Sequence, residues 1–256
     1  MGAGGRIAII DYGSGNLRSV QKAVERVANT LPFSYQAEIV TQADDLLRAD
    51  YIILPGVGAF GACVAGLRAL VGMEEALNMR VRQQGRPFLG ICVGMQLMAS
   101  RGIERGEHKG LGWVDGVVVP FWHKAKQAAH KGLKIPHMGW NELMPCATHK
   151  LLDGVADRPH AAGQNAAGQN MPDTQNATDR QNTADRQNIA RQNLVYFVHS
   201  FVFEAKTRAH VLAQSDYGGA FAAIIGRDNM IGTQFHPEKS QTKGLQILAN
   251  FLQWRP

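Results

Sequence analysis

The stretch from Arg86 to Ser100, RPFLGICVGMQLMAS, constrains this chain more than any other. It opens as a buried strand, Pro87 to Ile91, and turns sharply through Gly90-Ile91-Cys92-Val93-Gly94. The pattern after the turn, with Leu97 and Met98, predicts a helix running towards Ser100. A strand that re-enters as a helix through such a turn is a nucleophile elbow, G-x-S-x-G, here with Cys92 in the central position. The glycines give the backbone room to turn and let strand, helix and substrate approach closely. The turn is expected to lift the Cys92 sulfur above the sheet edge at a helix N-terminus, where dipole and N–H groups favour the reactive thiolate. A lone free cysteine is usually a small buried hydrophobe. The two flanking glycines and the strand-to-helix pattern take Cys92 out of that class.

Around the elbow, strands and helices alternate. Arg6 to Ile10 reads as a first, central strand and Glu38 to Thr41 as a second. Tyr51 to Leu54 reads as a third, ending at Pro55-Gly56-Val57-Gly58. From Asn16, Leu17, Val20, Val24 and Val27 recur on one helical face. A second helical pattern runs from about Ala62 to Gln84, broken near Gly72. This β-α-β-α-β order implies an α/β fold: a mostly parallel sheet covered by helices on both faces. The second half changes character. Leu111 to Val119, Asn193 to Val198, His210 to Gln214, Phe221 to Ile225 and Met230 to Phe235 read as short strands, predicting an antiparallel or mixed extension of the sheet. A last helix is expected from about Thr242 to Trp254, with Leu245, Leu248, Ala249 and Leu252 inward. The whole, 1–256, reads as one domain.

Residues 161–193 stand apart. They hold no aromatic residue, and the dipeptide Gln-Asn begins at 164, 169, 175, 181, 187 and 192. So few apolar side chains cannot offset the entropy of ordering, so a disordered surface insertion is expected.

Composition narrows the class. The chain is 45% hydrophobic and 19% charged, ordinary for a globular protein. No apolar run approaches the ~20 residues that cross a bilayer. The start, Met1 to Arg6, lacks a signal-peptide apolar region, and Arg6 stands where a myristoylation signal wants Ser or Thr. Cys63, Cys92 and Cys146 are too few for a disulfide framework, which suits a reducing cytoplasm. The net charge of +6 is spread along the chain with no basic run, so nucleic acid is not an expected partner. Gly13-Ser-Gly15-Asn-Leu-Arg18 lacks the third glycine of a dinucleotide fingerprint, and neither a cofactor nor a metal is expected.

Cys92 needs a base. Of nine histidines, His236 stands out by context. Ile231 to Phe235 reads as a strand with His236-Pro237-Glu238 at its end. In extended chain, residues two apart share a side. Glu238 is then expected to bond one imidazole nitrogen while the other faces the thiol, the nucleophile–base–orienter logic of a triad. An acyl intermediate also needs oxyanion donors. The N–H of Val93 is one, and the Pro55 to Gly58 loop at the same sheet edge offers another.

These motifs resemble the class I, triad-type glutamine amidotransferases. Within them the match is to the glutaminase subunits of imidazole glycerol phosphate synthase. The resemblance rests on Asp11 to Asn16, Pro55 to Gly61, Gly90 to Leu97, Lys134 to Asn141, Tyr196 to Ser200 and Gly232 to Ser240. It implies a flavodoxin-like fold and a Cys92–His236–Glu238 triad acting on L-glutamine. It also implies Gly58 and Val93 at the oxyanion site, and Gln96, Ser200 and Phe201 holding glutamine. The implied partner is a (β/α)8-barrel cyclase, forming a heterodimer, with Asn16, Trp140, Tyr196 and Lys239 near the joint. The resemblance further implies that ammonia passes to the cyclase through an internal channel. A glutaminase subunit of another synthase and a silent cyclase-docking scaffold are the alternatives. The Asp11 to Asn16 and Lys134 to Asn141 motifs argue against the first, the intact triad against the second.

Overall fold

The computed structural model describes residues 4–123, 132–155 and 193–256. The expected insertion at 161–193 therefore lies outside the described residues, apart from Asn193.

The first half runs β1 (Gly5–Ile10), α1 (Leu17–Ala28), β2 (Tyr35–Val40), α2 (Ala43–Leu46), β3 (Tyr51–Gly56), α3 (Phe60–Ala69), α4 (Met73–Leu77) and β4 (Phe88–Cys92). Next come α5 (Val93–Gln96), β5 (Ala99–Ile103), β6 (Glu107–Lys109), β7 (Val114–Pro120), β8 (His137–Glu142) and β9 (Met144–Pro145). The chain closes with β10 (Leu194–His199), β11 (Phe201–Ala205), β12 (Val211–Asp216), β13 (Ala220–Arg227), β14 (Met230–Thr233) and α6 (Gln241–Gln253).

The main sheet has eight strands in the order β2-β1-β3-β4-β14-β13-β12-β9. From β2 to β14 all pairs are parallel; from β14 to β9 all are antiparallel. Every residue of β3 and β4 is buried, so both faces of the sheet centre are covered. That is why these strands are unbroken apolar runs and not alternating ones. On α1 the expected stripe is seated: Val20, Val24 and Val27 are buried with Ala23 and Ala28, and Leu17 is half-buried. α1 packs against α6, whose last turn is tied down because the Tyr35 and Tyr51 hydroxyls both donate to the Leu252 carbonyl, at 2.9 and 2.7 Å. The inward face of α6 is Gly244, Ile247, Leu248, Phe251 and Leu252; the expected Leu245 and Ala249 are only partly buried at its edge.

Three expectations fail in instructive ways. The elbow helix does not reach Ser100: α5 is one turn, and β5 starts at Ala99. The carbonyls of Leu97, Met98, Ala99 and Ser100 accept from the backbone N–H groups of Leu111, Trp113, Gly112 and Gly110 instead. A neighbouring segment satisfies them, so the helical ladder has nothing to add. The second half is also not wholly an extension of one sheet. β12 and β13 extend it, but β11-β7-β5-β6 form a separate four-stranded sheet and β10-β8 a separate pair. Finally, β14 ends at Thr233, and His236 and Glu238 are joined by a 3-10 turn, Pro237–Lys239, rather than by extended chain.

Candidate active site

β4 delivers Cys92 to the end of the main sheet. Its φ of 55° and ψ of −110° lie where side chains are strained, so surrounding packing must hold them. The flanking glycines show how. A Cβ on Gly94 would collide with the Leu54 carbonyl oxygen, and one on Gly90 would lie 2.5 Å from that of Gly94. Strand β3, strand β4 and the turn are in backbone-to-backbone contact, which is the physical content of G-x-C-x-G.

β14 is the parallel neighbour of β4, with Thr233 beside Ile91. His236 therefore emerges next to Cys92 at the carboxyl edge of the sheet, where α/β folds place their sites. Pro237 starts the 3-10 turn with its preset φ. The turn folds Glu238 back so that Oε1 lies 2.9 Å from His236 Nδ1, with the two side chains only 4% and 1% exposed. With Nδ1 engaged, Nε2 is left to face the neighbouring Cys92 sulfur. Burial alone pushes His236 down. The hydrogen bonds to Cys92 and Glu238, and their charges, outweigh it and raise His236 to about 10. The raised proton affinity suits the ring to take the thiol proton and hand it on to a leaving amine. Such a buried Cys–His–carboxylate set can attack an acyl carbon, protonate the leaving group and then activate water.

The glutamine amidotransferase class-I family matches residues 8–254. The chain belongs to this family. Among curated proteins, it is 45% identical to the imidazole glycerol phosphate synthase subunit HisH of Brucella suis biovar 1 (strain 1330), over 98% of this chain and all of the relative. The HisH of Agrobacterium fabrum (strain C58) is also 45% identical over the same shares. That of Rhodospirillum rubrum is 44% identical over 98% of this chain and all of its own. Among solved structures, a crystal structure of a glutamine amidotransferase superposes with a TM-score of 0.61 at 16% identity, covering 96% of this chain and 97% of that one. A Thermotoga maritima glutamine amidotransferase gives 0.54 at 16% identity, covering 91% and 76%. Both support the fold alone.

The amidotransferase gathers the other singled-out residues around this centre. Gln96, 4% exposed, donates through Nε2 to the Phe201 carbonyl at 3.2 Å. Ser200 sits between β10 and β11, and its carbonyl accepts from Phe121 N at 2.8 Å. Val93 begins α5 directly after Cys92. Gly58, exposed with φ 95°, follows β3, whose Gly56 pairs with Cys92. Trp140 on β8 lies opposite Tyr196 on β10, their rings edge to face at 5.7 Å. The Tyr196 carbonyl accepts from His236 N, Lys239 closes the adjacent 3-10 turn, and α1, begun by Asn16, packs against that turn.

Sequence reasoning missed several groups here. Gln234, fully buried, lies against the Cys92 sulfur. His137 and His199 form a buried pair, Nδ1 to Nε2 at 2.9 Å. Ser14 grips the Val57 backbone: its hydroxyl donates to the Val57 carbonyl and accepts from Val57 N at 3.2 Å. Cys63 adds a thiol donor to the same carbonyl at 3.3 Å. Burial pushes the Cys63 thiol up, so it stays protonated and inert as a nucleophile. All four lie within or beside motifs that single out other residues, and residue type was their only local signal.

Proposed function

We propose that this amidotransferase is the glutaminase subunit of an imidazole glycerol phosphate synthase in histidine biosynthesis, acting through Cys92, His236 and Glu238. The observation that carries the reading is the buried Cys92–His236–Glu238 set at adjacent strand ends. Near full-length identity to HisH subunits supports the choice of synthase.

The Cys92 sulfur attacks the side-chain amide carbon of L-glutamine, and His236 delivers a proton to the departing ammonia. A thioester remains. His236 then takes a proton from water, the hydroxide attacks the thioester carbon, and glutamate leaves as the thiol is restored. Glu238 keeps the ring oriented and stabilises its charge. The N–H groups of Val93 and Gly58 are the proposed oxyanion donors. Gln96, Ser200 and Phe201 hold the substrate. Both amide hydrogens of Gln96 are engaged, with Phe201 and Gln234, so it offers the substrate its Oε1.

The proposed partner is a (β/α)8-barrel cyclase that receives the ammonia and makes imidazole glycerol phosphate and an aminoimidazole carboxamide ribotide. Its docking surface is placed across Asn16, Trp140, Tyr196 and Lys239, supported by the exposed Met138 and Trp140, 62% and 38%, on β8. Three free cysteines favour a cytoplasmic setting.

Glutamate release measured with and without the cyclase and its nucleotide ligand tests the reading. Partner plus ligand should raise turnover far more than glutamine affinity, because a transition-state contact is gained. Cys92→Ala should abolish release in the complex while docking persists. Equal rates for the lone subunit and the liganded complex, or an active Cys92→Ala variant, would reject it.

A further inference from the structure

The Cys92 sulfur has two polar neighbours besides His236: the Val198 carbonyl, which accepts from the thiol at 3.8 Å, and Gln234. Gln234 Nε2 lies 3.7 Å from Cys92 Sγ, and the Gln234 side chain is fully buried. The direction of this amide is set by what surrounds it. Gln96 Nε2 carries two hydrogens. One goes to the Phe201 carbonyl at 3.2 Å and the other to Gln234 Oε1 at 3.0 Å. With its oxygen held, the Gln234 amide must turn its N–H2 towards the sulfur. The opposite orientation would set donor against donor at Gln96 and aim a lone pair at Cys92.

The chain of donors extends further. The Phe201 carbonyl also accepts from His199 Nδ1 at 3.0 Å. That donation leaves His199 Nε2 as an acceptor, so the proton in the 2.9 Å contact belongs to His137 Nδ1. His137 Nε2 is then an acceptor facing Asn141 Nδ2 at 3.5 Å. Burial lowers His137 to about 3 and His199 to about 4, so at neutral pH neither ring gains a proton that would reverse the direction. Donors therefore run from Asn141 to the Phe201 carbonyl, which accepts separately from Gln96, the donor that holds Gln234 Oε1.

We propose that Gln234 is a catalytic residue whose amide N–H hydrogen-bonds the Cys92 sulfur as it becomes a thiolate, with Gln96 as the positioning residue that fixes the amide's direction. When the thiol proton moves to His236 Nε2, the bonding electron pair stays on sulfur and the Gln234 N–H faces that negative charge. A hydrogen bond to an ionised acceptor is roughly twice as strong as a neutral one. The contact is thus strongest in the attacking state and weakens once sulfur enters the neutral thioester. This rests on Cys92 being the nucleophile.

The test is the rate of Cys92 alkylation by iodoacetamide as a function of pH, on the full chain, with the modified residue located by peptide mass spectrometry. Other titratable groups facing this centre are His236 with its Glu238, Tyr12, Cys63 and, beside His236, His199; all are left intact. Gln234→Met keeps the length and removes the donor. It should move the alkylation profile about one pH unit alkaline. In the cyclase complex it should lower kcat roughly tenfold with KM changed less than about twofold. Gln234→Glu, which puts a charge against the sulfur, should move the profile further. Gln96→Met should move it the same way by less, because the Gln234 amide is then free to turn. A Gln234→Met profile that superimposes on the unsubstituted protein, at an unchanged melting temperature, overturns the proposal. If Gln234→Met does not fold, a superimposable Gln96→Met profile does so. Labelling of Cys63 or Cys146 in place of Cys92 would instead sink the nucleophile assignment itself.

Discussion

The two backbone turns at the carboxyl edge of the sheet are held in different ways. The Gly90 to Gly94 elbow is buried throughout and locked by backbone against backbone, with no space for one extra carbon at Gly90 or Gly94. The Pro55 to Gly58 loop leaves Val57 and Gly58 exposed, and a Cβ on Gly58 would meet nothing within 4 Å. Its Val57 peptide is held by the Ser14 hydroxyl and the Cys63 thiol. Steric locking tolerates no intermediate position, whereas a few side-chain hydrogen bonds can be exchanged. The proposed nucleophile is therefore held in one position, whereas the proposed oxyanion loop can be re-aimed by the proposed partner.

The largest effect that would break this contrast is at the elbow. Gly94→Ala should cost about 3 kcal/mol or more in urea or thermal unfolding, because the clash is with backbone that cannot rotate away. A variant melting within a few degrees of the parent would show that the elbow yields. At the loop, Ser14→Ala should cost only about 1 kcal/mol, since water can reach the freed groups. By loosening the resting loop it should raise glutamate release by the lone subunit roughly fivefold and shrink the stimulation by the partner. Cys63→Ala should act the same way more weakly; unchanged basal rates in both variants would mean that these bonds do not hold the resting loop.

A further effect, seen only on acidification, comes from the buried histidine pair. His137 and His199 are lowered to about 3 and about 4 in the fold, from about 6.5 in an unfolded chain. Between those values the unfolded chain binds more protons than the native one, so stability falls as pH falls from about 6.5 towards 4. Melting temperature followed over that range should decline, and His137→Gln should flatten the decline. Parallel curves would show that the pair does not carry the acid sensitivity. The smallest effect is expected at 161–193. Replacing it by a short Gly-Ser linker should leave melting temperature, complex formation and glutaminase activity nearly unchanged, because loop length adds only about 0.6 kcal/mol of closure entropy per doubling. Loss of cyclase affinity on deletion, with protection from protease in the complex, would make the segment a docking arm.

Legibility followed the range of the interactions. Cys92, Gly90 and Gly94 could be read because one turn of backbone decides them. His236 and Glu238 are legible as a pair, though a 3-10 turn and not extended chain joins them, since Pro237 permits both. Leu97 to Ser100 carry a helical pattern but leave the helix because their carbonyl partners, Gly110 to Trp113, lie beyond any local pattern. Gln234 went unread for the same reason: its contact with Cys92 spans 142 residues and that with Gln96 spans 138.

By itself the sequence determined the elements that depend on neighbours in the chain: the alternation of strands and helices, the glycine-flanked cysteine, and the histidine that leads its glutamate. Tertiary structure alone decided which carbonyl each donor reaches. It set the amide of Gln234 towards sulfur, gave His137 and His199 one neutral tautomer each, and made Ser14 and Cys63 the clasp of a loop more than forty residues away from Ser14. Hydrogen-bond direction depends on partners placed by the fold, and no spacing along the chain encodes it.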